Sequence, residues 1–153
     1  MPSTRVKNFL EKENVCYSTI LHSPAFTAQE SSESAHISGK AFAKTVIVEI
    51  DGKSAMAVLP ADRRVDLDDL REITGSSSAH MASEAQMKSL FPDCEIGAMP
   101  PLGNLYGMEV YVAPALAQSG EIVFNAGSHT ELIKMRFADF ERVAQPRILS
   151  FTM

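Results

Sequence analysis

Three short stretches of this 153-residue chain combine polar groups with unusual backbone. The longest, Cys94 to Gly107, sets Gly97, Gly103 and Gly107 around the adjacent prolines Pro100 and Pro101. Proline fixes φ and lacks an N–H, while glycine reaches backbone conformations that other residues avoid. A segment built this way is a stiff loop of set shape, able to aim its remaining N–H groups at a ligand. The second stretch, Asn125-Ala126-Gly127-Ser128-His129-Thr130, is a polar turn between two apolar runs. His129 within it has the chemistry of an acid, a base or a substrate contact. The third is Lys44, just after Phe42-Ala43 at the mouth of an apolar strand. A lysine there either snorkels to solvent or offers its charge to a substrate.

No conventional nucleophile accompanies them. The chain contains no G-x-S-x-G elbow, no P-loop and no dinucleotide fingerprint. No His/Cys/Asp cluster has zinc-site spacing. Cys16 and Cys94 lie far apart and outside any CxxC pair, so they read as reduced, buried thiols. Cys94 stands beside the Gly/Pro loop, yet nothing near it marks an activated thiolate. His22 and His36 bracket an early helix, and His80 reads as surface. Catalysis on such a chain rests on positioning and electrostatics, with the nucleophile supplied by the substrate.

The elements that must position these stretches follow from pattern. Thr4 to Asn14 reads as a helix with Val6, Phe9 and Leu10 on one face, and Val15 to Leu21 as a strand. His22-Ser23-Pro24 breaks that strand, and Thr27 with Glu30 opens a helix to about His36, ended by Ser38-Gly39. Lys44–Ile50 and Lys53–Leu59 flank Asp51-Gly52, a strong hairpin signal, and their near-continuous apolar content predicts central strands covered on both faces. Helices follow over Asp66–Ile73, stopped by Gly75, and over Ser83–Phe91, with Ser83 and Gln86 as a capping box. Beyond the Gly/Pro loop come strands at Met108–Val112, Glu121–Asn125 and Thr130–Met135, then a helix over Phe137–Val143. The sum is one α/β domain with a mostly β centre.

Bulk properties narrow the partners. A hydrophobic fraction of 45% and a charged fraction of 22% are ordinary for a globular protein, and the length fits one domain. No apolar run approaches the roughly 20 residues that span a bilayer. The polar start Met1-Pro2-Ser3-Thr4-Arg5-Val6-Lys7 is unlike a signal peptide, so the expected address is the cytoplasm. A net charge of −5 gives no global attraction to nucleic acid. A polyanion would need a local basic surface, for which Arg63-Arg64 and the group Lys134, Arg136, Arg142 and Arg147 are the candidates.

Taken in order, Ala43-Lys44-Thr45-Val46-Ile47-Val48, Gly97-Ala98-Met99-Pro100-Pro101 and Asn125-Ala126-Gly127-Ser128-His129 resemble the YbaK / prolyl-tRNA synthetase-associated editing domain. The resemblance runs from about His22 to Pro146. It implies an α/β (α+β) fold with a mixed, partly barrel-like central sheet surrounded by helices, filling residues 1–153 as a single domain. It also implies a free-standing enzyme that hydrolyses wrongly attached amino acids from tRNA, without cofactor, metal or protein nucleophile. A hydroxyl of the terminal ribose, or the thiol of a cysteine substrate, assists.

On this resemblance Lys44 engages the tRNA 3′ end or holds the ester, and the backbone of Gly97 and Pro101 holds its carbonyl. His129 shapes the pocket, lined by Ala98, Met99, Pro100, Asn125, Gly127 and Ser128. Ala98–Pro101 and Asn125–His129 look closest to the branch that clears alanine from tRNA(Pro), with cysteine, serine and threonine as the other substrates to test. Docking on prolyl-tRNA synthetase or an elongation factor would offset the acidic charge. No membrane partner is expected. Two other classes compete: a non-catalytic module binding a tRNA 3′ end, a nucleotide or a protein, and a small-molecule esterase using Cys94 or His129.

Overall fold

A computed structural model describes residues 2–21 and 41–153. The expected helix from Thr27 to His36, its Ser38-Gly39 stop, and His22 lie outside the described residues. In chain order the elements are α1 (Pro2–Lys12), β1 (Tyr17–Leu21), β2 (Ala43–Ile50), β3 (Lys53–Pro60), α2 (Leu67–Thr74), β4 (Ala79–Met81) and α3 (Glu84–Leu90). A 3₁₀ turn at Gly103–Leu105 precedes β5 (Glu109–Val112), α4 (Pro114–Ala117), β6 (Glu121–Asn125), β7 (Glu131–Arg136), α5 (Phe137–Ala144) and β8 (Arg147–Ile148).

Local chemistry sets most of these boundaries. Asp51 and Gly52 both adopt positive φ, 50° and 82°, as a two-residue hairpin turn between right-twisted strands requires. The β2–β3 register follows from it, Ile50 opposite Lys53 through to Ala43 opposite Pro60. Asp66 caps α2 by accepting from the Asp69 N–H, and Gly75 closes that helix at φ 67°. Ser83 and Gln86 form the expected reciprocal capping box on α3.

The strands form two sheets, β1-β7-β6 and β4-β2-β3-β5-β8, the larger one mixed because β3–β5 and β5–β8 run parallel. A single parallel bridge, Phe42 to Val123, brings β2 against β6. The surface is therefore curled and incompletely closed. The main core fills the space between the sheets, with Ile47, Met56, Val58 and Val112 from one and Ile122, Phe124 and Ile133 from the other. Val6 and Leu10 of α1 and Phe140 of α5 complete it. Val48, Ala57, Leu59 and Tyr111 pack on the opposite face of the larger sheet with Leu70 of α2 and Phe151. The central hairpin is thus buried on both faces, as its composition predicts.

Several features depart from the sequence reading. The strand expected from Val15 begins at Tyr17, and Cys16 is exposed where a buried thiol was expected, because it falls in the link between α1 and β1. The short elements β4, α4 and β8 have no sequence-level counterpart. Each spans two to four residues and is held by neighbours, as β4 is by β2.

Candidate active site

The N-terminal end of β2 and the C-terminal ends of β3 and β6 meet at one edge. From the Phe42–Val123 bridge the two strands run on in parallel without further pairing. Two residues beyond that bridge stand Lys44 on β2 and Asn125 on β6. Alternation along a strand puts them on the face that carries Phe42 and Val123, which pack together with Ala61 and Leu132. Lys44 is half-buried. Burial of its ammonium and the nearby Arg64 guanidinium hold its pKa below the ordinary lysine range, with Asp62 acting in the opposite sense. Asn125 is 4% exposed, and its Oδ1 has no hydrogen-bond partner among the described residues. Thr45 Oγ1, on the other face of β2, is also buried and has no partner among the described residues.

The Gly/Pro loop docks on the chain just beyond β6. The Glu95 N–H donates to the Gly127 carbonyl at 2.8 Å, and the Gly127 N–H donates to the Ala98 carbonyl at 2.9 Å. Both glycines adopt positive φ, 86° at Gly97 and 97° at Gly127, so a side chain at either position would be strained. His129 completes the junction. It is 5% exposed, and its Nε2–H donates to the Ile96 carbonyl at 2.7 Å while its backbone N–H donates to Glu95 Oε2 at 3.2 Å. The imidazole therefore clasps the loop.

The structure thus joins Glu95, Ile96 and Ala98 to Gly127 and His129 through direct hydrogen bonds, with Gly97 lying between Ile96 and Ala98, and places Asn125 and Lys44 at the same edge through the β2–β6 bridge. No hydrogen bond links Lys44 to the loop among the described residues. Ala98, Met99, Pro100 and Pro101 are buried, with Met99 part of the main core. Proline supplies no N–H, and that of Ala98 donates to the Glu95 carbonyl at 3.0 Å. Gly97 is exposed, and its N–H has no hydrogen-bond partner among the described residues. Ser128 lies within 3.4 Å of Thr130 Oγ1, hydroxyl to hydroxyl.

Sequence reasoning missed Glu95 and Ile96. The carbonyl of Ile96 has no sequence signature, and the only pointer to Glu95 was its position two residues before Gly97.

Cys94 belongs to a different assembly. Its thiol lies 3.2 Å from the Tyr106 hydroxyl, and Asp93 accepts from both groups. Arg5 of α1 pairs with Asp93 at 3.6 Å and covers the Tyr106 ring at 4.6 Å. Burial pushes the Cys94 thiol up to about 11, so it stays protonated at neutral pH. The cluster fastens α1 to the start of the Gly/Pro loop and offers no thiolate.

A Gly/Pro loop clasped to a polar turn, with a half-buried lysine at the same edge, makes up the candidate active site of a fold of the editing-domain class. The class is confirmed by comparison: residues 22–143 match the profile of the aminoacyl-tRNA editing domain, and the chain belongs to that family of aminoacyl-tRNA deacylases. Among curated proteins it is 29% identical to the multifunctional Ser/Thr-tRNA deacylase ProXp-y of Escherichia coli K12, over 96% of this chain and 90% of that one. Solved structures share the fold. Hypothetical protein APE2540 superposes with a TM-score of 0.88 at 16% identity, covering 97% of this chain and 99% of its own. A protein provisionally described as a trans-editing enzyme for prolyl tRNA synthetase gives 0.84 at 16% identity, covering 99% and 97%. No helix among the described residues is long and apolar enough to cross a membrane.

Proposed function

We propose that this chain acts in trans on tRNA bearing a small, wrongly attached amino acid, hydrolysing the ester between the amino acid and the terminal ribose. Water adds to the ester carbonyl, the carbon–oxygen bond to ribose breaks, and the departing ribose oxygen takes a proton. The products are the free amino acid and uncharged tRNA. The Gly97 N–H is aimed at the oxygen that becomes negative in the tetrahedral intermediate. Lys44 supplies a fixed positive charge to ribose or phosphate oxygens beside it. The clasp of His129 on Ile96 carries this reading, because it holds the loop in shape before substrate arrives. Cys94 is protonated and tied to Tyr106 and Asp93, so water activated by a substrate hydroxyl is the nucleophile, and the small-molecule esterase is set aside.

Serine and threonine are the first amino acids to test, and alanine on tRNA(Pro) the next. Two observations support that order. The E. coli relative is a Ser/Thr-tRNA deacylase. The buried Oδ1 of Asn125 has no partner among the described residues, and a substrate hydroxyl can donate to it where an alanine methyl cannot. Single-turnover deacylation of Ser-, Thr-, Ala-, Cys- and Pro-tRNA(Pro), wild type beside Lys44→Ala, tests the proposal. Hydrolysis of one or more of the small amino acids, with Pro-tRNA(Pro) spared and Lys44→Ala inactive on folded protein, is expected. Intact esters throughout, on folded wild-type protein, would refute it.

A further inference from the structure

An acidic chain that works on tRNA must meet the polyanion through a local basic surface, and the two candidates in the sequence fare differently in the fold. Lys134 pairs with Glu121 at 3.7 Å, Arg136 and Arg142 both reach Asp139, and Arg147 lies over the Tyr111 ring. Those charges are largely answered within the protein. Arg5 and Arg71 are likewise paired, with Asp93 and Asp68. Arg63 and Arg64 are exposed, and neither guanidinium has a carboxylate or ring partner among the described residues.

Their position is specific. Lys44 is opposite Leu59 and Ala43 opposite Pro60, and the Ala61 N–H donates to the Phe42 carbonyl at 2.9 Å. The turn from Ala61 to Arg64 therefore leaves β3 at the edge where Lys44 and Asn125 stand. Its backbone is fixed from the other side by the C-terminal segment. The Arg64 carbonyl accepts from the Met153 N–H at 3.0 Å, and Val65 bridges Thr152. Two exposed guanidinium groups thus sit on a held backbone, one of them close enough to Lys44 to oppose its protonation. Asp62 is the acidic neighbour, leaving the Asp62–Arg64 turn and Lys44 together at a net positive charge.

We infer that the Arg63-Arg64 turn is the docking surface for the single-stranded 3′ end of tRNA, its guanidinium groups gripping backbone phosphates while the terminal ester sits beside Lys44 and Gly97. This rests on the proposed editing function for its geometry. Guanidinium suits the task because its planar fork matches phosphate oxygens in pairs. The Lys44 ammonium is left for the innermost position.

The test separates the two proposals by using binding as well as turnover. A fluorescent single-stranded RNA tetranucleotide ending in CCA is titrated with wild type and with Arg63→Gln/Arg64→Gln at several salt concentrations. Circular dichroism and melting establish that the variant is folded. Wild type is expected to bind with a clear salt slope, and the variant at least tenfold more weakly with a slope shallower by about 1.4, for two phosphate contacts on a single strand. Equal affinity and equal slope would overturn the inference, whatever the protein hydrolyses. In a second arm, cleavage of aminoacyl-tRNA is compared with cleavage of the same amino acid on adenosine, which has no phosphodiester. The variant should lose at least tenfold more kcat/KM on the tRNA. Equal losses on both would overturn the inference while leaving the editing function standing. Failure of wild type to cleave either ester would refute editing and leave the binding arm to decide the docking surface.

Discussion

Replacing His129 distinguishes a clasp from a chemical group. Its Nε2–H donates to the Ile96 carbonyl at 2.7 Å inside a residue only 5% exposed. His129→Ala removes the donor and leaves a partly buried carbonyl unsatisfied, at a cost of about 1–3 kcal/mol. For a chain of this length, a loss of about 2 kcal/mol corresponds to a fall in Tm of about 4–8 °C. The Gly/Pro loop also loses one of its anchors to the polar turn, so the Gly97 N–H, the proposed oxyanion donor, is no longer held in place. Removing a placed oxyanion donor costs about 10²–10³ in kcat, and about 100-fold is expected here.

Glutamine and asparagine make the test decisive. The amide nitrogen of glutamine lies about as far from the backbone as Nε2, whereas that of asparagine corresponds to Nδ1. His129→Gln should therefore restore Tm and return turnover to within about fivefold of wild type, while His129→Asn should behave like alanine. The assays are thermal melting and single-turnover deacylation of the best ester from the substrate panel. If His129→Gln melted like wild type yet was as inactive as His129→Ala, the clasp would be the wrong account. The imidazole would then act on substrate directly.

Two further outcomes follow from the charged and thiol groups. The fold holds Lys44 below the ordinary lysine pKa of 10.5. Between that lowered value and 10.5 the unfolded chain binds more protons than the folded one, so wild-type stability gains a contribution as pH rises through this window. Lys44→Met should lose deacylation by at least about 100-fold, melt no lower than wild type at neutral pH, and lack that alkaline gain. Melting curves between neutral and strongly alkaline pH check it, and a marked drop in Tm at neutral pH would show Lys44 to be structural. Ellman's reagent at pH 8 should label the exposed Cys16 fast, and Cys94, whose thiol is pushed up to about 11, only on unfolding. Rapid labelling that survives Cys16→Ser would contradict the closed cluster of Cys94, Tyr106 and Asp93.

Features with a local cause were legible in the sequence, and features made by docking were not. Asp51-Gly52 is readable as a hairpin because both positions need positive φ, and the register of sixteen residues follows from that one turn. The caps at Asp66, Gly75 and Ser83 are equally local. By contrast, β4 follows Ser76-Ser77-Ser78, which reads as loop, and it becomes a strand only by pairing with Val48, Glu49 and Ile50. The three stretches with unusual backbone were visible, and the Gly97 loop and the Gly127 turn do meet. What joins them is backbone pairing of Gly127 with Glu95 and Ala98 together with a histidine nitrogen on a backbone carbonyl, and no residue type announces a carbonyl. The two basic groups looked alike in sequence. Only the fold shows that acidic and aromatic neighbours engage the later one, while Arg63 and Arg64 have no such partner among the described residues.

The gap between β2 and β6 gives the proposed specificity a physical basis. Two strands that touch at one bridge and then part leave a polar atom that no described neighbour satisfies, here Asn125 Oδ1. Each unmade hydrogen bond costs about 1–3 kcal/mol in a buried setting, and a ligand that makes the bond recovers it. A synthetase pocket shaped for a larger amino acid discriminates against one missing methylene by only about 1–3 kcal/mol, so small amino acids pass. A second pocket whose wall must accept a hydrogen bond sorts by a different property. It favours a substrate that brings a hydroxyl and disfavours a ring that fills the space without donating. The amide wall at Asn125 and the charge at Lys44 would then act on separate parts of one substrate, the first on the amino acid and the second on the nucleotide that carries it.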